Sequence, residues 1–236
     1  MAPPSPATPS PDSAVAPPDF RWFGAAIASW FGCFGMQSTL FSWLLVGELG
    51  ASDEWVGIAQ TANMLPSIAL ILIGGAAADR LDPRRVLIAL HALGTLPILA
   101  LSAAVAFGAL SVPLVMTFGV SMGVISAFSM PARDTLLSRV AGDDMMRAVT
   151  TMTAVQFGAQ ATGALLAGIA RWVGSAPTLV LQALVLLVGT VVTRHIPDPP
   201  PAPAQTPGKS ALHDVLDGLR QVANEPRLWS PLVLVF

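Results

Sequence analysis

The chain has 236 residues, of which 53% are hydrophobic and 11% charged, with a formal net charge of −2 and a mean hydropathy of +0.66. An average soluble domain carries about 25% charged residues, so this composition cannot clothe a soluble surface. One lysine, Lys209, gives no basic footprint for nucleic acid, one cysteine, Cys33, excludes a disulfide within the chain and a cysteine-based metal cluster, and three scattered histidines show no metal spacing.

Residues 1–20 are Pro, Ala and Ser with almost no charge, and are expected to form a disordered cytoplasmic tail. They lack the basic start and apolar core of a signal peptide. Six long apolar runs follow, at 22–46, 55–78, 86–107, 111–130, 148–169 and 176–192. A helix needs roughly 17–25 such residues to cross the hydrocarbon core, and each run qualifies. The runs are continuous rather than alternating, which points to helices instead of a barrel. An all-α membrane protein with six transmembrane helices in residues 21–194 is therefore expected. Pro66, Pro97 and Pro113 are expected kinks. Asp82 before Pro83 reads as an N-cap for the third span, Asp143 and Asp144 as caps for the fifth, and Ser175 as the cap of the sixth.

Eleven of the twelve basic residues fall on one side of this arrangement and only Arg171 on the other, which predicts a cytoplasmic N-terminus by the positive-inside rule. Residues 195–227 read as a cytoplasmic linker, Pro-rich at first. An amphipathic helix follows, with Leu212, Val215, Leu216, Leu219 and Val222 on one face. Residues 228–236 are apolar but too short to cross, and read as the cut-off start of a seventh span.

Polar residues stand in the spans at helical spacing. Gln37 lies in span one, Gln60, Asn63 and Ser67 share a face of span two, and Gln156, Gln160 and Gly163 share a face of span five. An amide facing lipid is costly, so each is expected to line a wet cavity or to bond another helix. Both readings stay open. No charged residue lies mid-span, so no proton-binding carboxylate stands out. Ala159, Gly163 and Ala167 recur every four residues and, with Gly168, are expected to let a second helix approach closely. Gly119-Val-Ser121-Met-Gly123 spells the G-x-S-x-G of a nucleophile elbow, but it falls inside an apolar helix where that motif needs a strand-to-helix turn, so no catalysis is expected.

Asp79 is oddly placed at the C-terminal end of a helix, where the macrodipole disfavours an anion. Arg80, Arg84 and Arg133 are candidate partners, and a plain solvated loop is the other reading. The segment running from Gly75 through Asp79 and Arg80 to Arg84 and Arg85 resembles the signature loop of the major facilitator superfamily, with one extra residue before the paired arginines. Together with Gly57-Ile-Ala-Gln60, Pro131-Ala-Arg133 and Leu216-Asp-Gly218-Leu-Arg220, it resembles the siderophore and macrolide exporter branch. Gly163-Ala164-Leu-Leu-Ala167-Gly168 is similar to the glycine-proline motif of drug antiporters, with Ala164 at the proline position.

The resemblance implies the N-terminal half of a twelve-helix transporter, built as a 3+3 inverted repeat and working by alternating access. The expected role is efflux of a small molecule across a bacterial inner membrane. It implies a conformational latch made by Gly75, Asp79, Arg80, Arg84, Arg85 and Arg133. It also implies a substrate cavity at Gln37, Gln60, Asn63, Gln156 and Gln160. The expected partners are the substrate, the lipid bilayer and a missing C-terminal half, with no cofactor and no metal. The competing reading is a non-transporting six-span scaffold that binds a protein.

Overall fold

The computed structural model describes residues 18–141 and 144–197, which are helical apart from short connections. Helix α1 spans Pro18–Ser42 and runs into a π-helical turn at Trp43–Glu48. There the Leu49 amide bonds the Leu44 carbonyl, five residues back, at 3.1 Å. Then come α2 (Asp53–Arg80), α3 (Pro83–Ala106), α4 (Val112–Val140), α5 (Met145–Ala167), the short α6 (Ala170–Val173) and α7 (Ser175–Thr193). The residues read as an amphipathic linker helix and as the start of a further span lie outside the described residues, as do Asp143 and most of the Pro-rich tail. Helix α1 begins at Pro18, inside the stretch expected to be tail.

Four helical segments are long and apolar enough to cross a membrane: Asp53–Ala78, Pro83–Ala106, Val112–Val140 and Ser175–Thr193. Helices α1 and α5 carry more polar and small residues, because they bury those faces on one another. α1 packs on α5 and α7, α4 packs on α2 and α3, and α3 packs on α7. The core between them is built from Phe23, Phe31, Met36, Phe41, Leu101, Leu136 and Leu186, all fully buried. Apolar side chains such as Leu65, Ile68 and Leu72 of α2, Leu96 of α3 and Leu184 of α7 face outward, as hydrocarbon surroundings require.

Two contact lines pass almost backbone to backbone. A Cβ added at Gly35 would fall on the Gln160 carbonyl oxygen, and one at Gly163 on that of Gly32, where α1 crosses α5. Likewise, a Cβ at Gly123 would fall on the Asn63 carbonyl and one at Gly74 on that of Ala127, where α2 crosses α4. Glycine at these four places lets the backbones approach as no other residue would.

Local chemistry fixes the helix ends. Asp82 accepts bonds from the amides of Arg84 (3.0 Å) and Arg85 (3.4 Å) and caps α3, with Pro83 in the first turn. Asp144 accepts from the Arg147 amide at 3.0 Å and caps α5. Four expectations need correction. Ser175 does not cap α7: the cap is Gly174, at φ 93°, and the Ser175 hydroxyl instead bonds the Glu48 carboxylate. Pro113 sits in the first turn of α4, where its missing N–H is not needed, so it starts the helix rather than kinking it. The fourth span does not end at residue 130: α4 continues through Pro131 to Val140. The fifth breaks at Gly168, leaving 170–173 as a separate turn.

The two ends of the bundle differ in charge. Among the described residues, Arg21, Arg80, Arg84, Arg85, Arg133, Arg139, Arg147 and Arg194 lie towards the end formed by the start of α1, the α2–α3 and α4–α5 connections and the end of α7, while Arg171 lies at the other. Below, the first is called the basic end.

Candidate functional site

The arginine-rich connection between α2 and α3 is folded tightly onto the bundle. Asp79 and Arg80 are the last two residues of α2, and the Asp79 side chain lies outside the described part of the structure. Arg84 reaches from the first turn of α3 to donate an Nη2 bond of 2.6 Å to the Arg194 carbonyl at the C-cap of α7. That supplies a donor to a helix end with orphan carbonyls, and a cation where the macrodipole favours one. Arg85 stays exposed, with Nε 3.3 Å from Asp82. Gly75 faces open space, so a methyl group there would touch nothing within 4 Å.

None of the contacts described for Arg133 joins it to these residues. It projects from α4, two residues after Pro131, across to α5, where Nη1 donates to Gln156 Oε1 at 2.7 Å. Its Nε donates to Asp134 Oδ1 at 2.9 Å, with Nη2 2.7 Å from the same oxygen. The guanidinium carbon stands 5.3 Å from the centre of the Phe31 ring on α1, a cation–π distance. The Arg133 side chain is only 21% exposed and that of Asp134 61%, so the cation is the embedded partner of the pair. Beside it, α1, α4 and α5 enclose a cavity of about 280 Å³. Phe23 and Ile27 of α1, Leu137 of α4 and Met145, Val149 and Met152 of α5 form its apolar walls, and Asp134, Ser138, Thr153 and Gln156 add polar groups.

The structure thus joins residues that sequence reasoning put in separate sets, since Arg133 was expected in a latch and Gln156 in a cavity. The other amides sit apart from them. Gln37 is 5% exposed in α1, and its Oε1 has no partner among the described residues. Gln60 Nε2 lies 3.4 Å from Ser42 Oγ, which ties α2 to α1. Asn63 is packed against Gly119 and Gly123 of α4, and Ser67 donates to the Gly123 carbonyl at 3.0 Å. Gln160 meets Gly35 through its backbone. Gly163 and Ala167 are buried, Ala159 presents its carbonyl to Gly32, and Gly168 ends α5. Ser121 bonds back to the Thr117 carbonyl at 2.8 Å in mid-helix, with none of the geometry of a nucleophile elbow.

Three polar groupings lie outside the candidate site residues read from the sequence. Gln182 of α7 is fully buried and donates to the Cys33 carbonyl at 3.3 Å. A lone amide amid Val180, Leu181, Ala183 and Leu184 was signal enough to single it out. His91 of α3 is buried beside Ser29, Trp30 and Gly189, with Nδ1 2.8 Å from the Leu87 carbonyl. Trp43 Nε1 donates to Ser175 Oγ at 3.1 Å, so Trp43, Ser175 and Glu48 form a network at the end opposite the basic end. The two parts of that network are 132 residues apart, and no spacing rule joins them.

Residues 22–236 match the family description Major Facilitator Superfamily. No curated protein and no solved structure matches the chain.

Proposed function

Because the chain belongs to the major facilitator superfamily, whose members move small molecules across membranes, we propose that it is an exporter that works by alternating access in the cell membrane, with its N-terminus in the cytoplasm. In this reading residues 21–194 form a six-helix unit, the first half of a two-half carrier of the siderophore and macrolide exporter type. The family match over residues 22–236 carries the proposal.

The helix pairings support the inverted repeat. Exchanging α1 with α4, α2 with α5 and α3 with α7 turns the α1–α5 contact into α4–α2 and the α1–α7 contact into α4–α3, and leaves α3–α7 unchanged. That is the pattern of two three-helix units related by a two-fold axis. The charge asymmetry of the two ends supports a cytoplasmic basic end. Gly75, Asp79, Arg80, Arg84 and Arg85 act in this reading as the latch between the two halves, and the open space over Gly75 leaves room for the opposing half. Gln37, whose oxygen has no partner among the described residues, and Gln156 are in this reading the amides that meet substrate.

The test is export. Cells making the protein are challenged with a panel of amphipathic compounds, with Asp79→Asn at matched protein level as the control. Raised tolerance or lowered accumulation of one compound class, lost in the variant, is expected. No change with any compound would reject export.

A further inference from the structure

We infer that the cavity between α1, α4 and α5 is a binding site for an amphipathic anion, a carboxylate or similar oxyanion on an apolar body, with the Arg133 guanidinium as its headgroup ligand. The inference deepens the transport reading and rests on it only for the step in which the bound anion would be moved.

Four observations carry it. First, a cation stands on the wall of a space of about 280 Å³, the small end of ligand pockets, whose surface is mainly apolar and whose other polar lining is Asp134, Ser138, Thr153 and Gln156. Second, that charge is held ready. Phe31 supports one face of the guanidinium at 5.3 Å and Gln156 fixes Nη1 at 2.7 Å, so its fork is oriented before any ligand arrives. Third, both contacts to Asp134, from Nε and Nη2, converge on one carboxylate oxygen, Oδ1. Arginine has five N–H donors, so these contacts and the Gln156 bond leave donors for a ligand. Fourth, the pair is lopsided. Asp134 is 61% exposed, so water and salt weaken its hold on a cation that is only 21% exposed. An oxyanion seated in the cavity would meet the same guanidinium in a drier setting, where the attraction is stronger. Asp134 can then turn to solvent.

A cationic ligand finds the opposite. The carboxylate it would seek already has one oxygen held twice by arginine and points largely to water, and the Phe31 face is covered by the same guanidinium. Met145 and Met152, flexible and polarisable, suit a site that accepts apolar bodies of varied shape.

The experiment uses the full chain carrying Cys33→Ala and Thr153→Cys, in nanodiscs of zwitterionic phosphatidylcholine. Thr153 lines the cavity and is exposed, so the introduced thiol reports occupancy by its rate of maleimide alkylation. Decanoate, decyltrimethylammonium and decanol serve as chain-matched anionic, cationic and neutral probes. Decanoate is expected to slow alkylation at least fivefold and the other two less than twofold. Arg133→Gln should abolish that protection and Arg133→Lys keep part of it, because the charge remains without the fork. Asp134→Asn should lower the half-protecting decanoate concentration severalfold. It does not depend on how well the Arg133 variants fold.

A parallel arm without decanoate, in nanodiscs containing phosphatidylglycerol, separates the sources. Protection there assigns the anion to a lipid headgroup, and protection by decanoate alone assigns it to a soluble molecule. Equal protection by the ammonium or the alcohol, or an unchanged decanoate response in both Arg133→Gln and Asp134→Asn, would overturn the inference. Decanoate protection without export in cells would retain the site and reject the transport reading, and export without anion preference would do the reverse.

Discussion

Replacing Gly163 by alanine adds one methyl group on the line where α5 crosses α1. That methyl would lie 2.8 Å from the Gly32 carbonyl carbon and closer still to its oxygen. Ordinary contact begins near 3.4 Å, and backbone lies on the facing side, so no rotamer change can relieve the clash. The two helices must part by roughly 1 Å, which forfeits a quarter to a half of the dispersion energy along their seam. Overpacking of this kind costs about 1–3 kcal/mol, and with backbone on the facing side the upper half of that range applies. Alanine returns about 1 kcal/mol through its better helix propensity, so the net loss is about 1–2 kcal/mol. Gly158, on the same helix, has nothing within 4 Å of an added methyl. Gly158→Ala collects only the propensity gain of about 1 kcal/mol. The two variants should therefore differ by about 2–3 kcal/mol, or roughly 5–10 °C in melting temperature for a chain of this size. Thermal unfolding of both proteins in one detergent, followed by tryptophan fluorescence, measures the difference. Equal melting temperatures would refute the close α1–α5 contact.

Asp82→Ala should destabilise by about 1 kcal/mol through loss of the α3 cap, while Asp82→Asn, which can still accept the two amide bonds, should stay within a few tenths of wild type in the same melt. In a Cys33→Ser background, a cysteine replacing Ala51 should react with an impermeant thiol reagent in intact cells and one replacing Leu81 should not, and the reverse pattern would reject a cytoplasmic basic end. Ser121→Ala should leave export unchanged, because the hydroxyl serves only the Thr117 carbonyl; loss of function at normal protein level would reopen the enzyme reading.

Local signals in the sequence carried most of the helix layout. The apolar runs gave the order of the long helices, and Asp82-Pro83 and Asp144 capped where short-range rules put them, because a cap is a bond between neighbours in the chain. Ser175 failed the same rule because Glu48, 127 residues away, takes its hydroxyl. The small residues of α5 were legible as a contact stripe, but the facing glycines, Gly32 and Gly35, were not, since sequence spacing reports one side of a contact only. The cavity was the least legible part. Gln156 gains its meaning from Arg133, which approaches from another helix. Arg133 read as a latch residue just past the end of a fourth span expected to stop at residue 130, whereas α4 carries on to Val140 and gives the arginine a rigid base that points it to Gln156.

The π turn at Trp43–Glu48 holds one residue more than an α-helix would need to cover the same stretch. Each residue of an α-helix turns the chain by about 100°, so everything beyond the bulge is out of phase with the rest of α1 by that angle. It is in this shifted phase that Glu48 meets Ser175. Deleting one residue of the turn ahead of Glu48 would restore a regular helix and swing the carboxylate about a quarter of a revolution away from α7. The bulge therefore indexes the tip of α1: removing it would rotate the tip by a fixed step, while the crossing with α5 at Gly32 and Gly35 keeps its place.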